Sequence, residues 1–158
     1  MTWQTEMTTI VRYLINDVDS VTFTDARIQN TITVSAQLEN NEIDFGKDYT
    51  IDIAATGITP DPTVATKDDA FVNIVSLKAG CLITDSEIRT AGANLVRVGD
   101  GPSSIDMTAT LNGLKIVYAD IKAKYDAAKL QYQAGGTLGE AVLSPYSLRV
   151  EGPKYRSW

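Results

Sequence analysis

No histidine occurs anywhere in the 158 residues. That absence removes Ser-His-Asp and Cys-His nucleophile systems and histidine metal sites in one step. Cysteine is nearly absent as well. Cys81 stands alone, on an apolar helix face, where it reads as a small buried hydrophobe rather than a reactive thiol. A chain free of internal disulfides reads as cytosolic in origin. No run of about eighteen apolar residues occurs, so no membrane span is expected. Met1-Thr2-Trp3-Gln4-Thr5-Glu6 lacks a basic segment followed by an apolar one, so no secretory signal is expected either. Positive charge is also short: 14 Lys and Arg against 20 Asp and Glu leave a net charge of −6. That balance argues against gripping nucleic acid through its phosphates and is compatible with a surface that DNA passes without sticking.

What the chain does have is helical periodicity. Hydrophobic content of 44% and charged content of 22% are those of an ordinary soluble protein with one core. The organising stretch is 66–91. There Ala70, Ile74, Leu77, Cys81 and Ile88 form one apolar stripe, and Phe71, Val75 and Leu82 form a second beside it. Only a narrow strip (Asn73, Ser76, Gly80, Thr84, Glu87) is polar. A helix apolar over most of its girth must be surrounded by other elements, so it is expected at the centre. Thr66 is the expected N-cap, with Asp68 and Asp69 placing negative charge on the first turn. Gly80 and Gly92 leave room for a close neighbour.

Before it, Trp3, Met7, Ile10, Val11 and Leu14 predict a first helix, capped by Thr2 and ending near Asn16. Asp17 and Asp19 resemble the opening of a calcium loop, but position six is Thr22 and position twelve is Ile28, which argues against it. Thr24 and Asp25 predict the start of a second helix carrying Ile28, Ile32, Ala36 and Ile43 on one face. Ile32, Val34, Ala36 and Leu38 also alternate at period two, so a strand stays open there on pattern alone. Over 44–64, Tyr49, Ile51 and Ile53 alternate with Thr50 and Asp52 and read as a strand; Gly57, Pro60 and Pro62 then interrupt regular structure. Its partner is the Ile43-Asp44-Phe45 run, the segment around Ile58, residues 95–98, or a neighbouring subunit.

Gly99 and Gly101 have the composition of a phosphate cradle, but no Lys follows and no strand-loop-helix context supports one, so an ordinary turn is expected. The last helix carries the cleanest pattern: Met107, Leu111, Leu114, Tyr118, Ile121, Tyr125, Ala128 and Tyr132 step by four and three. The opposite face is read as Lys115, Asp120, Lys122, Lys124, Asp126 and Lys129. The seam as far as Ile121 fits packing on the domain's own core. Beyond Tyr125 it suits a half-buried interface equally well, because the tyrosine hydroxyls need partners. Gly135 and Gly136 close that helix. A turn of helix is possible over 138–143, but Pro145, Gly152 and Pro153 prevent more. Tyr146, Leu148, Arg149, Val150, Lys154, Tyr155, Arg156 and Trp158 then describe an extended segment built to dock on something else.

The predicted fold is thus mainly α. It is a four-helix bundle-like domain over 1–136, with a small β insert at about 44–64 and an extended C-terminal arm over 137–158. The order of features resembles the head–tail connector, or adaptor, proteins of tailed bacteriophages. The stretches that carry the resemblance are Phe23-Thr24-Asp25-Ala26-Arg27-Ile28, Lys67-Asp68-Asp69-Ala70-Phe71, Glu87-Ile88-Arg89, Gly99-Asp100-Gly101-Pro102-Ser103-Ser104-Ile105-Asp106 and the Leu143-Ser144-Pro145-Tyr146 exit. The resemblance is one of layout across most of the chain, and the β insert departs from the compact version. It implies a virion structural protein of the phage neck, made in the bacterial cytoplasm. It also implies a homo-oligomeric, dodecameric ring that joins portal and capsid to the tail while DNA passes through.

On that reading the docking residues toward the portal or neighbouring ring are Tyr146, Leu148, Arg149, Val150, Tyr155, Arg156 and Trp158. Subunit contacts are expected at Tyr49, Ile51, Tyr125 and Tyr132. A tail-side connector or tail protein is the other expected partner, and no cofactor, metal or membrane is expected. The alternatives are a tail-completion or other virion interaction protein, or a small enzyme working through carboxylates. For an enzyme the candidates are Asp68, Asp69, Asp100 and Asp106, or Ser76 with Lys78, which are two apart on a helix and diverge.

Overall fold

The computed structural model describes residues 2–64, 66–98 and 107–135. Four helices pack together: α1 (Trp3–Ile15), α2 (Asp25–Glu42), α3 (Asp69–Val98) and α4 (Met107–Gly135). Between α2 and α3 lie two short strands, β1 (Thr50–Asp52) and β2 (Gly57–Thr59), paired antiparallel with Ile51 opposite Ile58. The fold is mainly α with a two-stranded hairpin. Of the candidate partners for the strand, the segment around Ile58 is the one used. Residues 95–98 are helical instead, because α3 continues unbroken to Val98. The expected arm over 137–158 lies outside the described residues.

Helix α3 is the hub, packing against α1, α2 and α4. Phe71, Ile74 and Val75 are fully buried, and Leu77, Cys81 and Ile83 nearly so. The polar strip read from the sequence faces protein more than water. Ser76 and Thr84 are buried, and the Thr84 hydroxyl donates to the Gly80 carbonyl at 2.8 Å. Gly80 lies where α1 and α4 both approach. A Cβ there would meet Ile121 Cγ2 at 3.4 Å and Leu14 Cβ at 3.6 Å.

The helix starts follow their caps, with two corrections. Thr24 caps α2 as expected, accepting from the Arg27 amide. Thr2 occupies the N-cap of α1, but its side chain makes no capping bond. At α3 the cap is Asp68, two residues past the expected Thr66: Asp68 Oδ1 accepts from the Phe71 amide at 3.0 Å. Thr66 accepts from Lys47 Nζ instead. Asp68 is favoured because its second oxygen also accepts from Tyr49 Oη at 2.8 Å, tying the insert to the helix start.

Asp17, rejected above as a calcium ligand, has a structural task. Its carboxylate accepts from the amides of Val21, Thr22 and Phe23 and from Arg12 Nη1 at 2.8 Å. Arg12, 7% exposed, also bonds the carbonyls of Asp17 and Phe23 and the carboxylate of Asp25. The amide bonds, that to Thr22 foremost, hold the Asp17 carboxyl below its ordinary range, against the opposing effect of burial. This knot fixes the turn from α1 into α2, which follows Asn16 in the left-handed conformation.

Candidate assembly surface

The surface that α4 presents is decided by what its inner face is bound to. Tyr125 is 7% exposed, and its hydroxyl donates to Oε1 of Glu39 on α2 at 2.8 Å. Glu39 is completely buried and is approached by Lys78 Nζ from α3 at 3.2 Å and by Lys129 Nζ from α4 at 3.6 Å. Lys129 also pairs with Glu42 and donates to Tyr125 Oη at 3.1 Å. Both ammonium groups lie over the Tyr125 ring, at 5.0 and 5.6 Å from its centre. One carboxylate thus gathers three helices. Burial opposes the charge on both lysines, but the acceptors around them outweigh it and raise both pKa values above the ordinary lysine range. Burial, and then the Glu39 carboxylate, push Tyr125 upward despite the opposing bond from Lys129.

A second contact fixes the end of α4. Tyr132 Oη donates to the Asp44 carbonyl at 3.2 Å, and its ring lies 5.5 Å from that of Phe45. Phe45 in turn meets Phe71 edge-on at 5.0 Å, and Tyr49 stacks on Phe71 at 4.1 Å. Burial and the bond to Asp68 raise the pKa of Tyr49 far above its ordinary value.

These positions reassign two of the four expected subunit contacts, Tyr49 and Tyr125. Tyr49 and Tyr125 are buried in the chain's own core, and Tyr132 is half-buried with its hydroxyl used internally. A tyrosine needs a partner for its hydroxyl, and the partners turn out to be Asp68, Glu39 and the Asp44 carbonyl of the same chain. Ile51 is half-buried in β1. The docking residues Tyr146, Leu148, Arg149, Val150, Tyr155, Arg156 and Trp158 lie outside the described residues, as do Asp100 and Asp106. Asp68 is occupied at both oxygens, Asp69 is exposed at the helix start beside Lys67, and Lys78 is committed to Glu39 while Ser76 is buried.

With the seam turned inward, the outer face of α4 is left to solvent. The expectation of one charged face is corrected here: Lys129 points inward, and the other charges split into two flanks. Lys122 pairs with Asp126 on one side and Asp120 with Lys124 on the other, each at i,i+4. Between them runs an apolar line of Ile116, Ala119, Ala123, Ala127 and Leu130, all exposed, with Ile116 at 71% and Leu130 at 68%. Other large apolar side chains stand exposed elsewhere, including Tyr13 and Val21 near the α1–α2 turn and Leu38 on α2.

No known protein family matches the chain, and neither curated proteins nor solved structures give a significant match.

Proposed function

We propose that this chain is a structural assembly subunit, and specifically a component of a bacteriophage virion that forms an oligomeric ring in the neck, between portal and tail. The observation that carries the reading is α4: it is fastened on one side by the Glu39 cluster and exposes Ile116 and Leu130 on the other. A helix that is already anchored gains nothing for folding from a second apolar face, so that face suits association. A closed ring uses heterologous contacts, which need two different surfaces. Exposed apolar side chains on separate elements (Tyr13 and Val21 at one end, Leu38 on α2) suit that requirement. The layout resemblance to connector proteins supplies the virion context, the portal as partner and the arm over 137–158 as the docking element. A net charge of −6 fits a passage through which DNA slides.

The test is assembly. Full-length protein mixed with portal rings of its own virus should co-sediment with them as a defined oligomer. A chain ending at Gly136 should keep its helical content and stay in the supernatant. Normal incorporation of the shortened chain would remove the docking role from the arm. Failure of the full chain to bind any virion component would remove the neck reading altogether.

A further inference from the structure

The outer face of α4 is complementary to itself. Ile116, Ala119, Ala123, Ala127 and Leu130 fall on one line, and the distance from Ile116 to Leu130 is about 21 Å along the axis. Large side chains stand at the two ends and alanines between them, so a second helix can approach closely in the middle. Placed on a two-fold axis at Ala123, Ile116 of one copy meets Leu130 of the second.

The flanks then decide the fit. With the axis at Ala123, level 120 of one helix faces level 126 of the other, and level 122 faces level 124. Along the flank bearing Lys122 and Asp126, the order becomes Asp126 of the second copy, Lys122, Lys122 of the second copy, Asp126. Along the other flank the order is Asp120, Lys124 of the second copy, Lys124, Asp120 of the second copy. Both flanks read Asp-Lys-Lys-Asp, and every neighbouring Asp–Lys pair joins the two chains. The i,i+4 pairs seen in the single chain, Lys122–Asp126 at 2.9 Å and Lys124–Asp120 at 2.6 Å, exchange partners without leaving a charge unmatched. Charge order alone also fits a parallel pair. The dipoles of two aligned 29-residue helices oppose each other only in the antiparallel one.

We infer that two copies of this chain associate through an antiparallel α4–α4 contact centred on Ala123. The inference rests on α4 alone and does not depend on the virion reading. A seam of this length belongs with small, transient interfaces, so the pairing is concentration-dependent. Being two-fold, it is distinct from the head-to-tail contacts of a ring, which would fall to the other exposed side chains, Tyr13, Val21 and Leu38, and leave the α4 face to join chains in pairs.

Analytical ultracentrifugation of the full chain up to about 500 µM should show a reversible monomer–dimer step. Ala123→Glu, on an exposed position, should leave helical content unchanged and weaken that step by about tenfold or more. The decisive variant exchanges one flank, Lys122→Glu with Asp126→Lys. In the antiparallel pair this flank faces its own copy, so the variant should dimerise with itself about as well as the original chain. Mixed with the original chain, it should form few heterodimers by native mass spectrometry, because both Asp–Lys neighbours of the flank are then replaced by like-charge neighbours. A parallel pair would set the exchanged flank against the unexchanged one and abolish self-association of the variant. That result would overturn the proposal, as would full association of Ala123→Glu or a monomeric original chain at the highest concentration.

Discussion

The hydroxyl of Tyr125 donates to Glu39 across 86 residues of sequence, at 2.8 Å. Because Lys78 and Lys129 approach the same carboxylate, Glu39 is the point at which α2, α3 and α4 are held in register. Removing one partner of a buried ionic cluster leaves the others uncompensated: without Glu39, Lys78 loses its carboxylate and the Tyr125 hydroxyl its acceptor, while Lys129 keeps Glu42. Glu39→Ala should therefore destabilise the protein by about 3–5 kcal/mol. Tyr125→Phe keeps the ring over which both ammonium groups lie and loses one charge-assisted bond, for about 1–2 kcal/mol. Urea unfolding of both variants and of the double variant checks this. The double variant should cost less than the sum, since the tyrosine bond has no acceptor once Glu39 is gone.

Asp68 caps α3 in place of the expected Thr66, and the two side chains have separate tasks. Asp68→Ala removes the acceptor of the Phe71 amide and of the Tyr49 hydroxyl, so a loss of about 2 kcal/mol is expected. Thr66→Ala still leaves the backbone carbonyl to accept from Lys47, and the change should stay within about 0.5 kcal/mol. Equal effects in thermal melts would mean the cap has been misplaced.

Gly80 discriminates between a tolerated and an excluded methyl. An alanine Cβ would sit at 3.4–3.6 Å from Ile121 and Leu14, which is ordinary contact, and alanine favours the helix by about 1 kcal/mol. Gly80→Ala should be neutral or slightly stabilising. Gly80→Leu must push α1 or α4 off α3 and should cost about 1–3 kcal/mol or more. Chemical denaturation of the two variants measures the difference.

The pH dependence of stability follows from groups that titrate at the extremes. Asp17, Asp61 and Glu42 have carboxyls held below their ordinary values of 3.8, 3.8 and 4.5. A depressed folded-state value means the unfolded chain binds protons first. Stability from these groups is complete above about 4.5 and is lost as pH falls below it. Tyr49, Tyr125, Lys78 and Lys129 are raised above ordinary values of 10.0 and 10.5, so their contribution is complete below about 10 and is lost as pH rises. With no histidine in the sequence, melting temperature should be flat from about pH 5 to 9 and fall on both sides. A step near pH 6.5 would contradict this account.

Much of the fold was legible because helix faces are written at a regular spacing. Trp3, Met7 and Val11 marked α1 and are buried; Ile28, Ile32 and Ala36 marked α2 and are buried. The ambiguity over Ile32, Val34, Ala36 and Leu38 resolves as helix, and the reason is visible: Val34 and Leu38 are exposed while Ile32 and Ala36 face the core, the order that 3.6-residue spacing imposes. The candidate site was legible only in part. Tyrosines stand out in a sequence and attract an interface reading, whereas an alanine line between two charge pairs reads as filler. Its one available signal was that Ile116 and Leu130 fall off the main seam.

The sequence by itself determined four helices, their starts to within a residue or two, and a strand between the second and third whose partner it left open, since periodicity and capping act over a few residues. Only the tertiary structure decided that Glu39 is buried, that Arg12 and Asp17 form one knot, and that the tyrosines of α4 turn inward. Those outcomes depend on which charged and hydroxyl groups from distant segments meet. A buried polar group is tolerable only when its partners arrive from elsewhere in the chain, and local sequence does not say which partners those are.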